Sequence, residues 1–331
     1  MMRVALLIPE SGRGAHDYFL PYLTPGGDDV WNGAQFVVNP NDGEFDGVVA
    51  FQSVQALDRT FRLTCPPSRT MLFLQEPPDI LFLPDGYTRQ FYTTLGQDSR
   101  VRCRRPALQA GQHHWFVELP FATANGTPTN AKPKLLSAVV SAKADTAGHR
   151  NRLRFMETLK EYFQERLDWF GRGVQDLGDH KLSGLADYRY HIVLENGSWP
   201  HYWTEKIADA FVANCFPFYW GAPNIGEYFD ANSFESIDLM DRAGAIAKIE
   251  AAIADDRWTK SQSALAAARE KVLFGYHPYQ TCLDFFASAP RIPAREIVIR
   301  PHSEFTYSVG GRIRHRLWKM KYRAMLHSAA A

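Results

Sequence analysis

Short apolar runs separated by turn-rich polar stretches make up the first half of the chain. Arg3–Ile8, Phe45–Phe51, Thr70–Leu74 and Trp115–Leu119 are rich in Val, Leu and Phe without clean alternation. That pattern predicts strands covered on both faces. Between them, polar or helical stretches such as Ser53–Phe61 are expected, whereas TPGGDDVWNG (24–33) and VNPNDGEFDG (38–47) predict loops. A small, polar, proline-bearing stretch, Ala122–Pro133, suits a linker. The pattern then resumes, with strands expected at Leu135–Ser141, Leu167–Gly171, Tyr190–Leu194 and Phe216–Trp220. A helix is expected at Arg150–Arg166, where Leu153, Met156, Leu159, Lys160 and Phe163 share one face. Further helices are expected at Thr204–Asn214 and, long and Ala-rich, at Ala243–Val272. Two βα series joined by a linker predict a two-domain α/β protein, doubly wound, with a cleft between the domains. The boundaries expected are 1–130 for the first domain, 131–290 for the second and 291–331 for a tail.

Composition adds little to this until charge is mapped along the chain. Of the 331 residues, 45% are hydrophobic and 22% charged, as in ordinary globular proteins. No run is long enough for a membrane span, and Val4–Ile8 is too short for the core of a signal peptide. A cytoplasmic protein is therefore expected. Cys65, Cys103, Cys215 and Cys282 lack metal-binding or disulfide spacing, and Cys215 lies in an apolar run that suits the core. The net charge of +1 conceals an asymmetry. From Arg291 onward there are nine basic residues against two acidic ones, while the preceding chain is net acidic. Arg312, Arg314, Arg316, Lys319, Lys321 and Arg323 interleave with Leu317, Trp318, Met320 and Tyr322. Such a segment suits an anionic membrane surface, peripherally on its inner face, or else a solvated terminal helix. Nucleic acid is not expected, because the body of the chain is acidic.

The densest polar cluster lies between elements that otherwise read as core. It comprises Glu195, Asn196, Tyr202, Glu205 and Lys206, in LENGSWPHYWTEK. In an open α/β sheet, ligands bind beyond the carboxyl ends of strands, and a helix N-terminus there suits phosphate. Lys206 in a first helical turn opposes the helix dipole, so an anion should compensate it. The same residues also fit a plain helix start after a capped strand.

The stretch LENGSWPHYWTEKIADAFVANCFPFYWGAPNIGEYFDANSF resembles the signature of glycosyltransferase family 10, the α-1,3/1,4-fucosyltransferases, and is most similar to bacterial members that decorate lipopolysaccharide. The resemblance implies a GT-B architecture of two Rossmann-like, doubly wound domains facing a cleft, with an N-terminal acceptor domain and a C-terminal nucleotide-sugar domain. It implies inverting transfer of fucose from GDP-fucose to a glycan or glycolipid acceptor. Under it, Glu195, Asn196, Tyr202, Glu205 and Lys206 bind the donor. A phosphate-binding arginine falls on Arg152, with Arg150 and Arg154 a turn away, and a catalytic base falls on Glu76 in MLFLQEPP. His113, His114 and Trp115 are candidates for the acceptor, though adjacent histidines at a strand edge also suit a structural role. The chain departs from the family pattern at Leu194, where phenylalanine is usual, and in the Gln-Glu-Pro-Pro around Glu76.

The charges define the reaction class. A leaving diphosphate gathers negative charge, which fixed cations such as Arg152 and Lys206 would stabilise, while Glu76 would take the acceptor's proton. No Asp-x-Asp motif stands at a strand end, and Asp28-Asp29 and Asp255-Asp256 suit the surface. Neither a metal nor another cofactor is therefore expected. Two alternatives stay open: the same fold using a different GDP-sugar, and a non-catalytic glycan- or lipid-binding protein.

Overall fold

The computed structural model describes residues 1–9, 22–109, 114–126, 131–144 and 147–328. The chain divides into two compact units, Met1–Gln112 with Pro278–Ala331, and His113–His277. The second unit thus starts before the linker expected at 122–133, and the chain re-enters the first unit at Pro278.

The first unit is built on a seven-stranded sheet ordered β2-β3-β1-β4-β6-β7-β8. Its strands are β1 (Met2–Leu7), β2 (Val30–Trp31), β3 (Ala34–Val38), β4 (Gly47–Gln52), β6 (Thr70–Leu74), β7 (Thr93–Gly96) and β8 (Arg105–Leu108). All pairings are parallel except β2–β3. Every residue of β4 and β6 is buried, as the unbroken apolar runs predict. The expected strand at Phe45–Phe51 therefore forms, and Thr70–Leu74 forms as drawn. Of the polar and helical readings of Ser53–Phe61, the polar one holds. Gln52 donates through Nε2 to the Ser53 and Gln55 carbonyls, which holds the segment in bends. At Phe61 the chain turns into β5 (Phe61–Cys65).

The second unit holds a five-stranded parallel sheet ordered β10-β9-β11-β12-β13. Its strands are β9 (Lys134–Val139), β10 (Leu167–Phe170), β11 (Tyr188–Leu194), β12 (Phe216–Trp220) and β13 (Glu235–Ser236). Helix α1 (Ala147–Phe163) follows β9 and packs Phe155, Met156, Leu159 and Phe163 into the core. Helix α2 (Glu205–Val212) connects β11 to β12. The single long helix expected at Ala243–Val272 is three: α3 (Arg242–Ala254), α4 (Arg257–Lys260) and α5 (Gln262–Glu270). The break falls at Asp256, whose φ of 46° is left-handed and cannot continue a helix. The strand expected at Trp115–Leu119 is also absent. The amides that a neighbouring strand would bind are taken by a side chain: Phe116 and Val117 both donate to Asp209 Oδ1, at 2.5 and 3.0 Å.

The return segment is more structured than a tail. It begins with α6 (Pro278–Ala287), which approaches β4 so closely that a Cβ at Gly47 would lie 2.3 Å from the Phe286 ring. Strand β14 (Arg295–Ile299) then pairs antiparallel with β5. Helix α7 (Val309–Ser328) docks by one face: Arg314 donates to both oxygens of Asp85 at 2.7 and 2.8 Å. Arg100 lies 3.8 Å over the Trp318 ring and 4.8 Å over Phe82, in cation–π contact with both. Among the described residues, no helix is long and apolar enough to cross a membrane.

Candidate nucleotide-binding site

The second sheet has a topological switch point between β9 and β11. From β9 the chain crosses to β10 on one side, and from β11 it crosses to β12 on the other. Connections leaving neighbouring strands in opposite directions open a crevice at the carboxyl ends. Arg152, in the second turn of α1, reaches this place. Its Nη1 donates to Asn196 Oδ1 at 2.9 Å and to the carbonyls of Leu194 and Glu195 at 3.3 and 3.4 Å. Arg152 is buried, whereas Arg150 and Arg154 are exposed. Its partners are neutral oxygens, and among the described residues no carboxylate pairs with it directly. Its Nε is buried and finds no acceptor among them. Burial lowers the Arg152 pKa, and the nearby Glu195 and Tyr202 oppose that shift.

Glu195 is fully buried and organises the junction. Its two oxygens accept from the Thr204 amide at 2.8 Å and the Thr204 hydroxyl at 2.7 Å. Thr204 is the N-cap of α2, and its hydroxyl accepts from the Lys206 amide at 3.3 Å. Such a cap is worth about 1 kcal/mol. Lys206 Nζ lies 2.9 Å from Glu205 Oε1 and 3.6 Å from Glu195 Oε2. The anion that its place in the helix demands is thus supplied from within the protein. Burial works against the Lys206 charge, but Glu205 and Glu195 outweigh it and hold the ammonium above its ordinary pKa. Burial raises the Glu195 carboxyl, with Lys206 opposing. Tyr202 is only 1% exposed, so it is packed beneath the junction rather than presented to solvent. Gly221, after β12, closes the floor: a Cβ there would lie 2.2 Å from the Tyr219 hydroxyl and 2.4 Å from Glu195 Cγ.

Four residues of the junction were not singled out from sequence. Thr204 carried a readable signal, a threonine at a helix start. Gly221 carried only a weak one. Asp209 is a buried carboxylate on an otherwise apolar helix face, and it binds Lys181 Nζ as well as the Phe116 and Val117 amides. His201 adopts a φ of 66°, donates its amide to Asn224 Oδ1 at 2.7 Å, and shares a 2.6 Å hydrogen bond between Nδ1 and the Tyr228 hydroxyl.

The remaining candidates lie elsewhere. Glu76 follows β6 at its carboxyl end and is partly exposed. Behind it the Pro77 carbonyl accepts the amides of Ile80 and Leu81 at 3.0 and 2.9 Å, closing a turn. His113 is outside the described residues. His114 and Trp115 are buried within the second unit, where Trp115 donates from Nε1 to the Leu119 carbonyl at 2.8 Å and packs near Phe121 and His277. Among the described residues, no group of three or more His, Cys, Asp or Glu is placed to hold a metal ion.

Residues 129–258 match the family model for the C-terminal domain of glycosyltransferase family 10, the fucosyltransferases. This stretch is similar to a family 10 C-terminal domain. It contains β9 to β12, α1 and the whole junction from Glu195 to Lys206. Over 58 residues the chain is 36% identical to an alpha-(1,3)-fucosyltransferase of Helicobacter pylori, covering 18% of this chain and 12% of that protein. Over 121 residues it is 31% identical to a fucosyltransferase-like protein of Arabidopsis thaliana, covering 35% and 23%. The chain therefore spans less than a quarter of the length of these relatives. In structure it is similar to an alpha1,3-fucosyltransferase crystallised with GDP-fucose, with a TM-score of 0.51 and 16% identity over 87% of this chain and 89% of that one. The likeness is one of fold, α/β of the GT-B kind.

Proposed function

We propose that the chain is an inverting glycosyltransferase that moves fucose from GDP-fucose to a hydroxyl of a glycan or glycolipid acceptor of the lipopolysaccharide type. The observation that carries this reading is Arg152. It is a buried cation with no carboxylate in direct contact among the described residues, held on Asn196 at a switch point inside the stretch that matches family 10. A guanidinium so placed supplies a charge-assisted fork for the diphosphate and stabilises the charge that gathers there as the sugar leaves. Lys206 and Glu205 flank the same helix start, and Asn196 and Tyr202 complete the donor set. Glu76 is the proposed general base, on the strength of its place after β6 and of the family resemblance. Fixed cations make a metal unnecessary in this scheme, so turnover is proposed to survive chelation. The site of action is proposed to be the cytoplasmic side, at the inner face of the membrane.

One observation favours a second reading. Lys206 is already neutralised by Glu205 and Glu195, as it would be in a junction that only builds the fold. A non-catalytic glycan-binding protein would keep that junction without turning over a donor. Incubation with GDP-fucose and a panel of lipopolysaccharide-type acceptors, followed by mass spectrometry with and without EDTA, separates the two. Fucosylated product in both conditions supports the proposal. Acceptor binding with neither transfer nor donor hydrolysis supports the second reading. Parallel reactions with GDP-mannose and UDP-sugars test the donor.

A further inference from the structure

The stretch RVRCRR (100–105) of the first unit carries arginine at four of its six positions. Two of these arginines are engaged inside the fold. Arg100 forks onto Asp98 at 2.7 and 2.6 Å. Arg105 donates to the Ser288 hydroxyl at 3.1 Å and lies 4.9 Å over the Phe285 ring. The other two, Arg102 and Arg104, are exposed, and neither guanidinium has a partner among the described residues. With Arg89, Val101, Cys103 and Pro106 they line a surface hollow of about 380 Å³. Arg89 caps the carboxyl end of a single helical turn, Asp85–Thr88, and its guanidinium is likewise exposed and unpartnered among the described residues. Thr88 brings it alongside, because the Thr88 hydroxyl donates to the Arg102 carbonyl at 2.8 Å. No acidic residue lines the hollow. The acids nearest in sequence are already paired, Asp85 with Arg314 and Asp98 with Arg100. A hollow lined by one sign of charge concentrates ions of the other sign.

We propose that this hollow binds the phosphate of a phosphorylated sugar. A guanidinium fork matches a pair of phosphate or carboxylate oxygens. One fork satisfies a carboxylate, whereas three suit a phosphate dianion with three free oxygens. The volume falls at the low end of small-molecule sites, about 300–1,000 Å³, and leaves room for a sugar ring beside the phosphate. Val101 and Pro106 offer that ring an apolar wall. The hollow is distinct from the place of Glu76. Arg89 and Arg104 precede β7 and β8, at the amino ends of these strands, whereas Glu76 follows the parallel β6 at its carboxyl end. The inference rests on the lining of the hollow and not on the transferase reading.

The test is calorimetry of the full chain with mannose 6-phosphate, mannose and inorganic phosphate. Two variants accompany it: Arg89→Gln/Arg102→Gln/Arg104→Gln in the hollow, and Arg62→Gln/Arg295→Gln outside it. All five positions are exposed, so both variants should keep the wild-type melting temperature. GDP titration of the same preparations reports the donor site separately and should be unchanged. Wild type should bind mannose 6-phosphate but not mannose, and more weakly in high salt. Inorganic phosphate should bind roughly tenfold more weakly, the worth of one further hydrogen bond to the sugar. The triple variant should lose roughly a hundredfold or more, at about one decade for each fork removed. The outer variant should bind as wild type does. No binding of mannose 6-phosphate by wild type, or equal binding by the triple variant, would overturn the proposal. So would an equal loss in the outer variant, which would reduce the effect to net charge. Inorganic phosphate binding as tightly as the sugar phosphate would overturn the assignment to a sugar.

Discussion

The two units carry mainly parallel sheets with similar switch-point topology, yet their strand ends hold different chemistry. In the first unit, β1 and β3 end on a neutral exchange: the Ile8 amide donates to Asn39 Oδ1 and Asn39 Nδ2 donates back to the Ile8 carbonyl, both at 2.9 Å. Strand β4 ends on Gln52, which accepts from the Tyr87 hydroxyl at 2.7 Å. Beyond β7, the buried Asp98–Arg100 pair closes on itself at 2.6 Å and is covered by α7. In the second unit, Arg152 donates to neutral oxygens with no described carboxylate in direct contact, and nearby Glu195 supports its charge through space. Burying an unpaired charge is costly, and proteins keep one where something else completes it. The comparison teaches where to look for an anion. Both sheets offer the geometry, but among the described residues the buried guanidinium held only by neutral oxygens stands in the second.

The largest expected effect tests Glu76, an acidic side chain just beyond the carboxyl end of β6. Glu76→Gln should lower kcat by roughly 10²- to 10⁴-fold if the carboxylate is the base. GDP affinity and melting temperature should barely change. Turnover above about a tenth of wild type, against that expected loss, removes Glu76 from the mechanism.

The next effect concerns the second unit's interior. His191 is buried against the Ser137 hydroxyl at 2.7 Å, and burial, with Lys181 and Lys132 adding to it, pushes its pKa down to about 3. The folded state therefore refuses a proton that the unfolded chain accepts below about pH 6.5. Stability is full above that pH and falls as pH drops toward the folded value, by about 3 kcal/mol between pH 7 and 4 at 1.36 kcal/mol per unit. Urea unfolding should show the slope in wild type and a shallower one in His191→Gln. Identical slopes would contradict the assignment.

Smaller effects sharpen the junction. Lys206→Ala should weaken GDP by roughly 10- to 100-fold in calorimetry, the worth of one charge-assisted hydrogen bond. An unchanged affinity would leave Lys206 as the internal partner of Glu205 and Glu195. Thr204→Ala should cost about 1 kcal/mol of stability by loss of the cap, and somewhat more because Glu195 loses a donor in a buried place. A melting temperature equal to wild type would deny the cap its role.

Much of this was legible in the residues. Strands buried on both faces announce themselves as unbroken apolar runs, so Thr70–Leu74 and Phe216–Trp220 were drawn at their observed ends. The elements that escaped are those settled by partners distant in the chain. Residues 115–119 have strand composition, but Asp209 takes their amides from 92 residues away. Strand β14 hides in a segment that reads as basic tail, because its short REIVI run gains meaning only beside β5. At the site, residue identities were readable from the Thr-Glu-Lys run and the polar cluster. What sequence could not supply was the pairing: that Lys206 is compensated internally and Arg152 is not.

That difference is the centre of the account, and GDP titration of three proteins tests it directly. Wild type, Arg152→Gln and Arg154→Gln would be compared by calorimetry, with melting temperatures as a check on folding. Arg152→Gln should lose roughly 10- to 100-fold in GDP affinity, or more if both arms of the fork are engaged. Arg154→Gln, exposed on the same helix, should bind as wild type does. A folded Arg152→Gln that binds GDP as tightly as wild type would contradict the assignment of the buried cation to the nucleotide.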